Sequence, residues 1–318
     1  MSAGRSAPVG EGSAPVDGRR SAPVGERRLV PRWRGVPGSL RAAVRGAFRH
    51  AAVELRIQLF SWNVLGWLLF PALGLFVLHF LRGTEVMGSE VSLAQLGIPG
   101  VLAMALISGG MMGVAGQLLA EREDGTLLRA KAIPNGVLSH LMGNMIVYTG
   151  ISLGPVLGML VIAAPFFDGV TPTDARGWLT FVGVSLLGLL ATLPIGALFG
   201  AVLRGPMMLA WASLVIYGSM AISGIFYPIT ALPGWLQVVG QVFPMYWLGH
   251  ALRWVFLPEE AAALELGGRW NLLGALAVIA LWGAVGLALT PRILGRMAQR
   301  ESGSAVEARK VERLQRLA

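Results

Sequence analysis

Residues 117–134, QLLAEREDGTLLRAKAIP, form a run of 18 residues that carries Glu121, Arg122, Glu123, Asp124, Arg129 and Lys131 between two long apolar stretches. Six ionisable side chains in so short a segment would be costly inside hydrocarbon, so the segment is expected in water. The runs on either side, 96–118 and 137–163, are each long enough to cross a hydrocarbon core, which takes about 20 apolar residues. The fold expected from this alternation is all-α and polytopic, with the charged loop as the place where a soluble partner would take hold.

Four further runs of similar length, 61–81, 177–203, 206–226 and 270–290, raise the expected number of transmembrane helices to six. Composition agrees. Of 318 residues, 54% are hydrophobic and 14% charged, well below the quarter or so that is usual in soluble domains. The net charge of +9 comes from basic residues that flank apolar runs and do not form a continuous stripe with interleaved aromatics, which argues against nucleic acid as a partner. There is no cysteine, and the four histidines are scattered without an HExxH spacing, so neither a disulfide nor a metal centre is expected.

Sorting the basic residues by side sets the orientation. With the N-terminus inside, 22 of the 26 lie on the cytoplasmic side, and Arg82, Arg176, Arg253 and Arg269 lie outside. Such a bias predicts a cell-membrane protein with both termini in the cytoplasm.

Three segments lie outside the six runs. Residues 1–38 repeat the unit SAPV from Ser6, Ser13 and Ser21 among Gly, Pro and Arg, and have too little apolar surface to order themselves. They are expected to be a disordered basic tail, solvated or touching anionic headgroups. In residues 39–58, Leu40, Val44, Ala47, Phe48, Ala51 and Leu55 recur at helical steps while Arg41, Arg45, Arg49 and Arg56 take other faces. This predicts an amphipathic helix, lying at the membrane surface or packed on a soluble partner. Residues 293–318 form a basic cytoplasmic tail, which leaves 39–292 as the membrane domain.

Residues 227–256, YPITALPGWLQVVGQVFPMYWLGHALRWVF, are too apolar for an ordinary loop. Pro228, Pro233 and Pro244 cut the stretch into pieces of about 10 to 13 residues, too short to cross. A seventh crossing would also place the basic C-terminal tail outside. The segment is therefore expected to be a re-entrant helical hairpin before the last span, with Trp235, Tyr246, Trp247 and Trp254 at headgroup depth.

The spans carry glycines at intervals that let helices approach closely: Gly109 and Gly113, then Gly150, Gly154 and Gly158, then Gly196 and Gly200. Packing within the chain explains most of this spacing; the alternative is that such a face, or the second span with Met111 and Met112, joins a second copy or lines a transport route. The central parts of the spans hold no Asp, Glu, Lys or Arg, so an ion-coupled carrier is disfavoured. Nor can the chain hold nucleotide in a P-loop, because its two lysines, Lys131 and Lys310, follow Ala130 and Arg309 where the motif needs glycine. No Ser, His and Asp set and no carboxylate pair suggests a catalytic site. Any energy source is expected on another polypeptide.

The segment EREDGTLLRAKAIP, Glu121 to Pro134, resembles the ERExGTLxRLxxTP-like segment of ABC-2 type transporter permeases. The stretch from Ser223 to Arg253 is similar to the second signature of that family: Gly224, Phe226 and Pro228 after the fifth span, then Leu232, Pro233 and Trp235, then Pro244 and a closing Leu252-Arg253. The resemblance covers roughly residues 46–292, closest in flavour to actinobacterial drug-resistance exporter permeases. It departs at Ala132-Ile133-Pro134, where the family often has Ala-Thr-Pro.

This resemblance implies a permease that binds no cofactor itself and pairs with a separate ABC ATPase subunit carrying ATP and Mg, two permeases (a second copy or a paralogue) and two ATPase domains making the working unit. The loop at Glu121, Arg122, Glu123, Asp124, Gly125, Thr126 and Arg129 would couple to the ATPase. Residues 224–253 would form the outer dipping segment. A hydrophobic drug, natural product or lipid is the expected cargo, with a glycolipid or polysaccharide precursor, or a membrane scaffold without a transport path, as alternatives.

Overall fold

The computed structural model describes residues 52–53, 55–57, 62–85, 91–131, 136–167, 171–172, 174–203 and 205–300. The SAPV segment, most of 39–58, residues 132–135, Arg204 and 301–318 lie outside the described residues. Among those described, the regular elements are helical, and extended pairing is limited to an isolated bridge between Glu85 and Ser92.

In chain order the helices are α1 (Trp62–Phe80), α2 (Leu93–Ile107), a π-helical turn at Ser108–Gly113, α3 (Val114–Glu123), α4 (Thr126–Lys131), α5 (Gly136–Ala163), α6 (Ala175–Val202), α7 (Pro206–Ala221), α8 (Gly234–Val242), α9 (Pro244–Phe256) and α10 (Leu272–Arg300). Local chemistry starts several of them. Ser92 and Gln95 form a reciprocal capping box at α2, Oγ accepting from the Gln95 amide at 3.1 Å and Oε1 from the Ser92 amide at 3.0 Å. Asp174 caps α6 by accepting the Gly177 N–H at 2.8 Å. Pro206 and Pro244 occupy first-turn positions, where a missing N–H costs nothing.

Each of the six apolar runs falls on a helix. By length and composition four are able to cross a bilayer: Leu93–Glu123, Met142–Ala163, Ala175–Val202 and Leu272–Met297. Met207–Ala221 is shorter, and α1 has 19 residues. The stretch 227–268 breaks into short pieces at its prolines: a 3₁₀ turn at Ile229–Ala231, then α8 after Pro233, then α9 from Pro244, then 3₁₀ turns at Glu259–Leu264 and Leu266–Gly268.

The path α2–π–α3 runs through the middle of the bundle, 78% of its apolar stretch being buried, whereas the still more apolar α10 is 22% buried. Helix α6 packs against α10, α3, α9 and the π turn. Backbones meet there: a Cβ on Gly196 would stand 2.5 Å from the Met111 carbonyl oxygen and 2.6 Å from that of Gly110. Only glycine allows this approach. Around the centre, Phe76 and Phe80 of α1, Trp211 and Leu214 of α7, Val238 of α8, and Leu273 and Leu281 of α10 are exposed. An apolar surface this extensive marks a chain surrounded by lipid, and the protein is a multi-pass helical membrane protein.

Candidate functional site

Polar side chains gather at both ends of the α2–π–α3 path, whose 31 residues span about 45 Å at 1.5 Å per residue. At one end α3 delivers Glu121. Instead of standing in water, as expected for the charged loop, Glu121 is only 4% exposed. Its Oε1 accepts from Gln117 Nε2 at 3.0 Å and from Asn144 Nδ2 at 2.7 Å, and its Oε2 lies 2.9 Å from His140 Nε2. Tyr148 donates to Gln117 Oε1 at 3.2 Å. Gln117 and Glu121 are one helical turn apart on α3, as are His140, Asn144 and Tyr148 on α5, so two polar stripes face each other. A small crevice opens beside them, lined by Val114, Gln117, Leu118, Asn144, Met145, Tyr148 and Ala197.

Arg122 turns the other way. Its Nη1 donates to the Leu203 carbonyl at 2.8 Å and approaches that of Ala201 at 3.5 Å. These are terminal carbonyls of α6, which lack partners within the helix, and a cation is favoured there. Beyond Arg122 the chain turns, and α4 packs back on α3, α5 and α10. Asp124 is exposed and closes α3, and Gly125 at φ 73° makes the left-handed turn that separates α3 from α4. Glu123 and Thr126 are half-buried, and Arg129 is exposed with its Nη2 donating to Thr126 Oγ1 at 2.8 Å.

At the opposite end a second cluster is built on α9. Arg253 is fully buried; its Nε donates to Glu265 Oε1, and its Nη1 donates to the carbonyls of Gly224 at 3.0 Å and Ile225 at 3.1 Å. Gly224 sits at φ 68°, and a Cβ there would stand 2.9 Å from Ile229 Cβ, so the chain turns sharply after α7 in a way that glycine alone tolerates. Glu265 Oε2 accepts from His250 Nδ1 at 2.9 Å and lies 3.4 Å from the Tyr246 hydroxyl. Burial by itself would raise the Glu265 carboxyl, but the Arg253 guanidinium and the bond from His250 bring it down to about 2. His250 Nε2 accepts the Asn271 N–H at 3.0 Å.

The other residues singled out in this region divide by burial. Pro244 is buried, Phe226, Pro228 and Leu232 are half-buried, and Pro233 and Trp235 are exposed. Arg253 and Gly224 are brought together directly; Trp235 stands apart on α8. Most of the glycine and methionine set packs against neighbouring helices of the chain. Gly109 abuts Ser152, Gly110 abuts Thr192, Met111 and Gly113 are buried, and Met112 is half-buried. Gly150 receives Leu55 from residues 55–57, a Cβ there standing 2.7 Å from Leu55 Cδ1, and Gly154 is half-buried.

His140, Glu265 and the role of His250 were not anticipated from the sequence. A signal existed for Glu265: an arginine within an apolar stretch requires a carboxylate. Three acids follow it, Glu259, Glu260 and Glu265, and only burial distinguishes the last.

The two ends carry the two segments on which the family resemblance rests, and the family profile described as ABC-2 family transporter protein matches residues 81–290, which includes both. The chain belongs to that family. As an ABC-2 type permease it is similar to the linearmycin resistance permease protein LnrN of Bacillus subtilis (strain 168), with 26% identity over 180 residues, 53% of this chain and 43% of the relative. The permease thus spans less than half the length of that relative in the alignment.

Proposed function

We propose that this permease is the membrane subunit of an ATP-binding cassette exporter that moves a hydrophobic small molecule outward, with ATP and Mg bound and hydrolysed on a separate ATPase subunit. Two permease subunits form the route. Six spans cross the membrane with both termini cytoplasmic, the 39–58 helix lies along the inner surface, and α8 and α9 form a re-entrant pair on the outer side.

One observation carries the coupling role. Consecutive residues at the end of the most buried helix are tied sideways, Glu121 to α5 and Arg122 to the end of α6, while Asp124 and Arg129 face outward on the next turn. A push on the short α4 would therefore reach α3, α5 and α6 together. Glu121 and Arg122 act as the fixed foot, and the exposed Asp124 and Arg129, on either side of Gly125, make the contact with the ATPase. Support for the re-entrant pair comes from α8, whose exposed face is Trp235, Val238, Val239 and Val242 while Gln237 and Gln241 turn inward. That arrangement suits hydrocarbon. The relative's name, a resistance permease, supports a toxic compound as the cargo.

Reversing both exposed charges, Asp124→Arg with Arg129→Glu, is expected to lower co-purification of an ABC ATPase subunit expressed with the permease about tenfold while membrane insertion and melting temperature stay unchanged. Undiminished association would defeat the coupling assignment, and failure of the unaltered permease to bind any nucleotide-hydrolysing subunit would favour a scaffold.

A further inference from the structure

The coupling reading leaves the cluster around Arg253 without a task. Its hydrogen bonds fix the state of one ring. The Asn271 backbone N–H can only donate, so His250 Nε2 must offer its lone pair; Nδ1 then carries the ring proton and donates it to Glu265 Oε2. The imidazole is therefore neutral, in one tautomer, with both nitrogens engaged. Asn271 in turn opens α10, its Oδ1 accepting the Gly274 N–H at 3.1 Å and its carbonyl the Ala275 N–H at 3.0 Å. We propose that His250 is a proton-sensitive positioning residue: neutral, it fastens α9 to the first turn of α10, and a proton added at Nε2 removes the acceptor and releases that turn.

The surroundings isolate this response to the ring. From its own helix His250 is faced by Tyr246 and Arg253, from the 257–268 segment by Glu265, and from the start of α10 by the Trp270 ring at 5.5 Å and the Asn271 amide. Helix α2, packed on α9, has no ionisable residue, and Arg176 at the start of α6 is exposed. A guanidinium does not lose its proton, a phenol buried beside a carboxylate keeps its own, and Glu265 is held ionised by Arg253. Of the groups in the cluster, the imidazole is the one with a ring nitrogen that can take up a further proton. The proton has a short way to travel, because Asn271 is exposed while His250 beneath it is 1% exposed.

The release loosens one of two hydrogen bonds that, among the described residues, join the 234–256 helices to the start and body of α10, since Trp282 Nε1 also donates to the Val242 carbonyl at 2.9 Å. Acid would thus relax this end of the bundle without dissolving it. The inference does not depend on the ATPase or on the cargo, so its failure is separate from failure of the exporter reading.

The test uses the full chain in lipid nanodiscs. Amide hydrogen exchange at 271–275, corrected for the intrinsic pH dependence, is expected to rise about fivefold between pH 8 and pH 5.5, the scale of one lost backbone hydrogen bond. In His250→Gln, whose amide can accept from Asn271 and donate to Glu265 but does not titrate, the pH response is expected to vanish. Equal protection at both pH values in the unaltered chain, or the same pH response in His250→Gln, would overturn the proposal. Should His250→Gln fail to fold, ¹⁵N spectra of the histidine rings in the unaltered chain decide: a buried ring at pH 8 with Nδ1 protonated and Nε2 bare supports it, and absence of any such ring overturns it.

Discussion

Burial divides the charges of residues 121–129 into two kinds with different work. Glu121 and Arg122 are adjacent in sequence, yet one reaches polar groups of α5 and the other the carbonyl end of α6. Replacing Glu121 by Ala leaves Gln117, Asn144 and His140 facing an apolar stump and is expected to cost about 3 kcal/mol, the scale for stranding buried partners of a charged group. Glu121→Gln, which keeps a carbonyl oxygen, should lose less; thermal unfolding in detergent measures both, and an Ala variant as stable as the unaltered chain would contradict the buried role. Glu265 predicts an acid limit. Its folded carboxyl titrates near 2, below the ordinary value of 4.5, so its contribution is complete above about pH 4.5 and is lost as pH falls toward 2. Melting temperature should therefore fall across that window, and less steeply in Glu265→Gln.

At the level of elements, the apolar runs were readable because a helix that must cross hydrocarbon needs a fixed length of uncharged chain, and no fold topology alters that need. The prolines of 227–256 were equally readable, since each removes a backbone donor, and the helices do restart at Pro233 and Pro244. The π turn was not. Ser108–Gly113 reads as a glycine-rich piece of an ordinary span, and the residues that meet the distorted turn, Ser152, Thr192 and Gly196, arrive from two other helices. The burial of Glu121 was hidden for the same reason, its partners His140 and Asn144 lying on α5. Helix α8 makes a prediction of its own. Its outward Trp235 should be quenched by lipids brominated on the acyl chain, measured as the difference between the unaltered chain and Trp235→Phe; quenching only by a water-soluble agent would argue against immersion.

For the molecule as a whole, apolar side chains fill the inside and also cover the outside. The long α10 is among the most apolar helices and is mostly exposed, while the innermost path is closed by glycines, serines and threonines that admit backbones to one another. Cohesion between helices in lipid comes from such contact and not from expulsion of water. The sequence-level account of the family holds at this scale because its two signature segments sit at the two ends of one central rod. That rod has a consequence for handling the protein outside its native bilayer. Micelle molecules compete for the periphery, where contacts are few and interchangeable, but have no means of entering a seam closed by main chain. Solubilised in progressively harsher surfactant, the permease should shed protection from α1 and α7 first and keep α2, α3 and α6 together until last, so that a sample can lose its outer rim and still look folded by circular dichroism.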